Sequence, residues 1–156
     1  MVIYVAALLL GVIAGLRTFT APMMVSWAVR FGWVQLGDSP FDALKFLYAF
    51  YTPYILTVLA IGELIGDKLK WTPSRKIPPA FIARIVSGAI CGAAVCSVGG
   101  LGIGALLGGL GAVIGTLLGY KFRVRLAAAL GKDLPAALVE DAIAVGGGFL
   151  IVATML

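Results

Sequence analysis

Long apolar runs, interrupted by only a few charges, set the strongest limit on what this chain can fold into. Of its 156 residues, 62% are hydrophobic and 12% are charged, and the mean hydropathy is +1.08. A soluble domain carries about 25% charged residues and could not bury this much apolar surface. A helix needs about 20 apolar residues to cross a bilayer. We therefore predict an all-α membrane protein, folded as a single transmembrane domain over residues 1–156.

The apolar runs leave room for about five membrane-spanning helices. They occupy residues 2–29, 53–69, 79–98, 101–118 and 135–156, with a connector at 30–40 and an aromatic, interfacial segment at 41–54. Arg17 and Pro22 lie inside the first run. Because proline removes a helical hydrogen bond, the first helix is predicted to be kinked or broken there.

Basic residues collect in two stretches between the runs. The first contains Lys70, Arg75 and Lys76, and the second contains Lys121, Arg123, Arg125 and Lys132. In a chain of five spans both stretches lie on one side, which the positive-inside rule assigns to the cytoplasm. We therefore predict a protein of the cell inner membrane, with its N-terminus in the cytoplasm and its C-terminus outside. The net charge of +5 then reflects topology, and no nucleic-acid partner is expected.

Glycines recur four residues apart in most of the runs, a spacing that lets helix backbones approach closely in lipid. The pairs and series are Gly11 and Gly15, Gly62 and Gly66, Gly88 and Gly92, Gly100, Gly104 and Gly108, and Gly111, Gly115 and Gly119, with Ala144 and Gly148 in the last run. The pattern predicts a compact bundle whose partners are membrane lipids. A homodimer face remains an alternative use of the same glycines.

The informative ionisable residues inside the apolar runs are Arg17, Glu63, Asp67, Arg84, Glu140 and Asp141. Each costs several kcal/mol if it is left unpaired in hydrocarbon, so they should face one another or water. In the predicted topology all but Arg17 lie near the cytoplasmic ends of their spans. Arg17 lies deeper, beside Thr18 and Thr20, and a helix interrupted beside a buried charge is a common way to build a binding site.

Four carboxylates against two arginines leave a surplus of negative charge at this site. That surplus is either protonated, matched by a loop lysine such as Lys68, or matched by a bound cation. We predict that the nine residues just discussed bind a substrate or an ion, and that the four acids are the candidates for a metal, should one bind. No cofactor is predicted beyond a proton or a cation.

Three short stretches resemble a family of uncharacterised small prokaryotic integral membrane proteins defined by a domain of unknown function. They are AGLRTFTAP at residues 14–22, GELIGDKL at 62–69 and VEDAIA at 139–144. The resemblance implies a helical membrane fold and a site at the charged positions of these stretches, but no reaction. Those positions are Arg17, Glu63, Asp67, Lys68, Glu140 and Asp141, with Arg84 in addition.

The chain has no histidine, which excludes histidine-based acid–base catalysis and imidazole metal ligands. Three functions then remain open. The preferred one is a small transporter or flippase that moves an anionic or lipid-like substrate, coupled to protons or a cation. The second is a metal-dependent enzyme acting on a lipid or polyprenyl phosphate, with Arg75 and Lys76 as further phosphate ligands. The third is a structural or assembly protein. Since no catalytic machinery stands out, an enzyme is the less favoured reading.

Overall fold

The computed structural model describes residues 1–34, 42–68, 78–98 and 100–156. All of the regular secondary structure in those residues is helical, so the all-α prediction is confirmed. The described residues contain six α-helices, α1 Val2–Leu16, α2 Thr20–Arg30, α3 Thr52–Gly66, α4 Pro78–Val95, α5 Leu101–Leu130 and α6 Asp133–Met155, with a 3-10 helix at Asp42–Tyr48 before α3. The basic residues Lys70, Arg75 and Lys76 lie outside the described residues.

Three of these helices, α4, α5 and α6, are long and apolar enough to cross a membrane, which indicates a membrane protein. The helices α1 and α3 are also apolar but shorter, with 15 residues each. The fourth predicted run continues well beyond residue 118, because α5 extends to Leu130 and ends at Gly131, whose φ of 67° is the left-handed conformation that glycine adopts most easily. The second basic stretch is therefore mainly helical.

The first predicted run is two helices, because α1 ends at Leu16 and α2 begins at Thr20. The S–H of Cys96 points to the carbonyl of Ile3, 3.8 Å away, whereas the Thr116 hydroxyl donates to the carbonyl of Gly15 at 3.1 Å. Helix α1 therefore runs parallel to α5 and antiparallel to α4.

Helix α2 returns in the opposite direction, alongside α3 and α6. Trp27 donates its indole N–H to the Thr57 hydroxyl at 3.1 Å, near the start of α3, while the start of α2 contacts Glu63 near the end of α3. Gly148 of α6 faces Ile13 and Met24 together. Helices α1 and α2 thus form a hairpin with its tip at residues 17–19.

The hairpin changes the predicted topology. Residue Ile3 and the start of α5 lie at one end of the bundle, which we call the terminal end, and α6 also runs towards it from Glu140. The hairpin tip lies at the other end, which we call the charged end. Both chain termini therefore lie at the terminal end, whereas the sequence prediction placed them on opposite sides. The difference arises because the sequence prediction counted residues 2–29 as one crossing.

Glycines allow α5 to pack against α1 on one side and α4 on the other. A Cβ added at Gly104 or Gly108 would lie less than 3 Å from the backbone of α4, and one added at Gly111 or Gly115 would meet the backbone of α1 equally closely. The partner positions on α1 and α4 are glycines too, at Gly11, Gly15, Gly88 and Gly92. Such contact between helix backbones is the interaction predicted from the spacing.

The pair Gly62 and Gly66 on α3 does not behave in this way. A Cβ at either position would have no described atom within 4 Å. Among the described residues, this pair therefore does not bring two helices together, unlike the other glycine pairs. Helix α3 packs on α2 through Pro53, Leu56 and Ala60 instead, and most of its other side chains are exposed.

Candidate functional site

Arg17, at the tip of the α1–α2 hairpin, is the centre of a buried ionic network. Its side chain is fully buried, and its backbone is extended, with φ −140° and ψ 117°, so the helix stops there. The Nη2 atom lies 2.9 Å from Oδ2 of Asp67, at the end of α3, and also donates a hydrogen bond to Asp141 of α6. One guanidinium thus joins the hairpin tip to two other helices.

Two further cations extend this network. Lys68 places its Nζ atom 2.8 Å from Oδ2 of Asp141. Arg123 of α5 donates to the same Asp67 oxygen that Arg17 contacts, and it holds the more exposed Asp133 with N–O distances of 2.7 and 3.0 Å. Cations and carboxylates therefore alternate from Lys68 to Asp133. The surplus of negative charge expected from the sequence is offset by Lys68 and by Arg123.

Glu63 is engaged differently from the other acids. Its two carboxylate oxygens accept hydrogen bonds from the backbone N–H groups of Thr18 and Phe19, at 2.8 and 2.9 Å. These groups begin α2, where unpaired N–H groups and the helix dipole favour an anion. Ser87 of α4 completes the tip by donating its hydroxyl to the Thr18 carbonyl at 2.5 Å. The backbone left open by the helix break is thus satisfied by α3 and α4.

Three other predicted site residues lie buried around the tip. Thr20 is 1% exposed, and its hydroxyl has no hydrogen-bond partner among the described residues. Arg84 is buried on α4, one turn before Ser87, and Glu140 is buried on α6 with an Oε2 atom 3.8 Å from Arg123 Nη1. The structure therefore brings all nine predicted residues to the charged end, although Glu63 and Asp67 have different kinds of hydrogen-bond partner.

The four carboxylates suggested as metal ligands are not gathered around one point. Glu63 binds backbone amides, whereas Asp67 and Asp141 bind cationic side chains. Within the described parts of the chain, no three acidic or cysteine side chains are grouped closely enough to hold a metal ion.

Sequence analysis missed Arg123, Asp133 and Ser87 as parts of this site. Arg123 was assigned to a basic stretch, and the predicted membrane topology already explained the positive charge of that stretch. Its spacing carried a signal, however, because Thr116, Gly119 and Arg123 are three and four residues apart and continue the buried glycine face of α5. Ser87 offered no such signal, since a serine in an apolar helix has many structural uses.

We expect Arg123→Gln to destabilise the fold by about 1–2 kcal/mol, because Asp67 then loses one of its two cationic partners. Its pair with Asp133, which is 64% exposed, should contribute little. The measurement is unfolding by sodium dodecyl sulfate in mixed micelles, followed by circular dichroism. Arg125→Gln is the matched control, since Arg125 is exposed on the same helix and should change stability by less than about 0.5 kcal/mol. Equal stability of the two variants would contradict a structural role for Arg123.

A comparison with known families gives one match over nearly the whole chain. The family model described as Domain of unknown function (DUF4126) matches residues 4–154, and this range includes every residue of the buried network. No curated protein and no solved structure matches the chain. The match covers far more than half of the sequence. The chain therefore belongs to the family defined by the domain of unknown function DUF4126.

Proposed function

We propose that this protein is a small membrane transporter or flippase that binds an anionic substrate at the hairpin tip and couples its movement to a proton or a cation. The observation that carries the proposal is the incomplete hydrogen bonding of Arg17 among the described residues. Although its side chain is fully buried, its Nε and Nη1 atoms have no hydrogen-bond partner among the described residues. Buried N–H groups of a cation are costly unless they meet an acceptor, and an anionic ligand supplies one.

The proposed membrane arrangement follows from helix direction and charge. We take α3 to α6 as four crossings and the α1–α2 hairpin as an insertion from the terminal end. Helix α5 has 30 residues, about 45 Å, so its last turns extend beyond the hydrocarbon core of about 30 Å. These turns carry Lys121, Arg123 and Arg125, which favour a cytoplasmic location for the charged end in an inner-membrane protein. Both termini then face outwards.

Transport rather than simple packing is supported by how the charges are placed. The network joins the ends of α3 and α6 to the tip of a hairpin whose break depends on those partners. A change in one ion pair therefore alters the contacts that hold the tip. Coupling needs such a link between a titratable or ion-binding group and a movable element. A homodimer, for which the face of α3 that carries Gly62 and Gly66 offers one surface, is a second proposal.

The test is uptake of radiolabelled malate, glutamate and gluconate into vesicles that contain the purified protein, with a fluorescent lipid assay for flipping of phosphatidylserine. We expect the wild type to exceed empty vesicles with at least one probe, and Asp141→Asn to reduce that rate at least tenfold because it removes the charge shared by Arg17 and Lys68. Arg125→Gln should retain the wild-type rate. Undiminished transport by Asp141→Asn, or no movement of any probe by the wild type, would overturn the proposal.

A further inference from the structure

The hairpin tip contains more buried hydrogen-bond donors than the described residues satisfy. The amides of Thr18 and Phe19 are taken by Glu63, but the Thr20 hydroxyl and two nitrogens of Arg17 have no described partner. Both of these side chains are at most 1% exposed. They are adjacent in sequence to the two amides, Arg17 on one side and Thr20 on the other. The donors therefore belong to four consecutive residues, 17–20, at the hairpin tip.

The Cα–Cβ bond of Thr20 tilts towards the start of α2. Thr20 is the first residue of α2, and in an α-helix each Cα–Cβ bond tilts towards the helix N-terminus. Its Cβ is therefore directed to the end of the helix at which the Thr18 and Phe19 amides lie. A single carboxylate side chain that caps the helix accepts hydrogen bonds from the two amides alone. The additional donors therefore point to a ligand with several acceptor atoms.

The group that occupies the amides is itself an anion from elsewhere in the chain. Helix α2 has no side-chain cap of its own, and Glu63, more than 40 residues away, supplies the carboxylate. Its two oxygens meet two consecutive N–H groups at 2.8 and 2.9 Å, which is the geometry of a carboxylate bound at a helix start. A free carboxylate would match the same two donors.

We infer that Glu63 is a tethered ligand in a binding site for a small carboxylate, and that this site consists of the Thr18 and Phe19 amides, the Thr20 hydroxyl and Arg17. The inference rests on the proposed transport of an anion, for which it names the substrate class. The substrate carboxylate replaces Glu63 at the amides and, unlike Glu63, brings its remaining atoms to the free donors of Thr20 and Arg17. Glu63 and the substrate therefore exclude each other.

The experiment removes the tethered carboxylate and supplies a free one. Full-length Glu63→Ala, purified in detergent, is heated in sodium formate or in sodium chloride of equal ionic strength, and unfolding is followed by circular dichroism. We expect formate to raise the unfolding midpoint of this variant saturably, by about 3 °C or more, and that of the wild type by less than about 1 °C. Should Glu63→Ala fail to fold, Glu63→Gln is used, since the glutamine amide places an NH2 donor where one of the two carboxylate oxygens accepts a hydrogen bond.

A second substitution locates the bound formate. Thr20→Val in the Glu63→Ala background should weaken the apparent formate affinity about fivefold, because it removes one donor without changing shape. Thr154→Val, at an exposed hydroxyl near the terminal end, should leave that affinity unchanged. Equal responses to formate and chloride in a folded variant, equal affinities with and without the Thr20 hydroxyl, or a larger stabilisation by phosphate would each overturn the inference.

These experiments distinguish a failure of the proposed binding site from a failure of the proposed transport. Formate binding at Thr20 without uptake of any carboxylate into vesicles overturns the proposed transport and leaves the binding site intact. Uptake of a carboxylate by a protein that does not bind formate in the Glu63→Ala variant overturns the binding site and leaves transport intact.

Discussion

Arg17→Met is expected to lower the free energy of unfolding by about 3 kcal/mol, as is typical when one member of a buried ionic pair is removed. The substitution leaves Asp67 and Asp141 largely buried, with side chains about 11% exposed. The loss should not reach the upper end of the usual range, because Lys68 still pairs with Asp141 and Arg123 with Asp67. Unfolding in mixed detergent micelles, followed by circular dichroism, measures the change.

Two further variants are compared with Arg17→Met. Arg125→Met removes an exposed arginine on α5 and should change stability by less than about 0.5 kcal/mol. Arg17→Met combined with Asp67→Asn and Asp141→Asn should regain part of the lost stability, since Arg17 and both of its carboxylate partners lose their charges together, although Lys68 then loses its pair with Asp141. Under the transporter proposal the triple variant stays inactive, whereas full transport by it would show that these charges serve packing alone.

Gly108→Ala is expected to cost about 3 kcal/mol or more, or to prevent folding, because its methyl group has no space. The added Cβ would lie less than 3 Å from the carbonyl of Gly88 and 3.2 Å from the Cα of Gly92. These neighbours are backbone atoms and cannot rotate away as a side chain would, so α4 and α5 must separate. The yield of folded protein in detergent and the unfolding free energy report the effect.

The adjacent glycine provides the control. A Cβ at Gly109 would make only ordinary contacts, 3.7 Å from Ile85 and 4.0 Å from Ala89, so Gly109→Ala should be neutral within about 1 kcal/mol. Gly62→Ala tests the same point on α3, where no described atom lies within 4 Å. Similar losses for Gly108→Ala and Gly109→Ala would contradict the proposed backbone contact between α4 and α5.

The features that sequence analysis predicted well depend on repeated spacing. Glycines four residues apart on α1, α4 and α5 predicted close helix packing, and the structure has it at Gly11, Gly92 and Gly108. The same spacing at Gly62 and Gly66 has no such helix contact among the described residues, because spacing identifies a smooth helix face without identifying what covers it. The three charged stretches that resembled the family meet at one end of the bundle.

The hairpin could not be predicted from residue spacing in the sequence. Residues 2–29 form one apolar run, and no glycine marks the turn at residues 17–19. The turn exists because partners distant in sequence satisfy it, Glu63 on the amides and Ser87 on the Thr18 carbonyl. Local preference therefore allowed either a bent span or a reversal, and tertiary contacts decided between them. Arg123 was missed for a related reason, since its partners come from α3 and α6.

Because the hairpin returns the chain to the side from which it started, Ile3 and the end of α6 lie at the same end of the bundle. Two copies encoded as one polypeptide, joined by a short hydrophilic linker, would therefore insert with the same orientation and need no additional crossing between them. Such a tandem fusion allows a substitution such as Arg17→Met to be placed in one copy only. A protein with termini on opposite sides would not permit this.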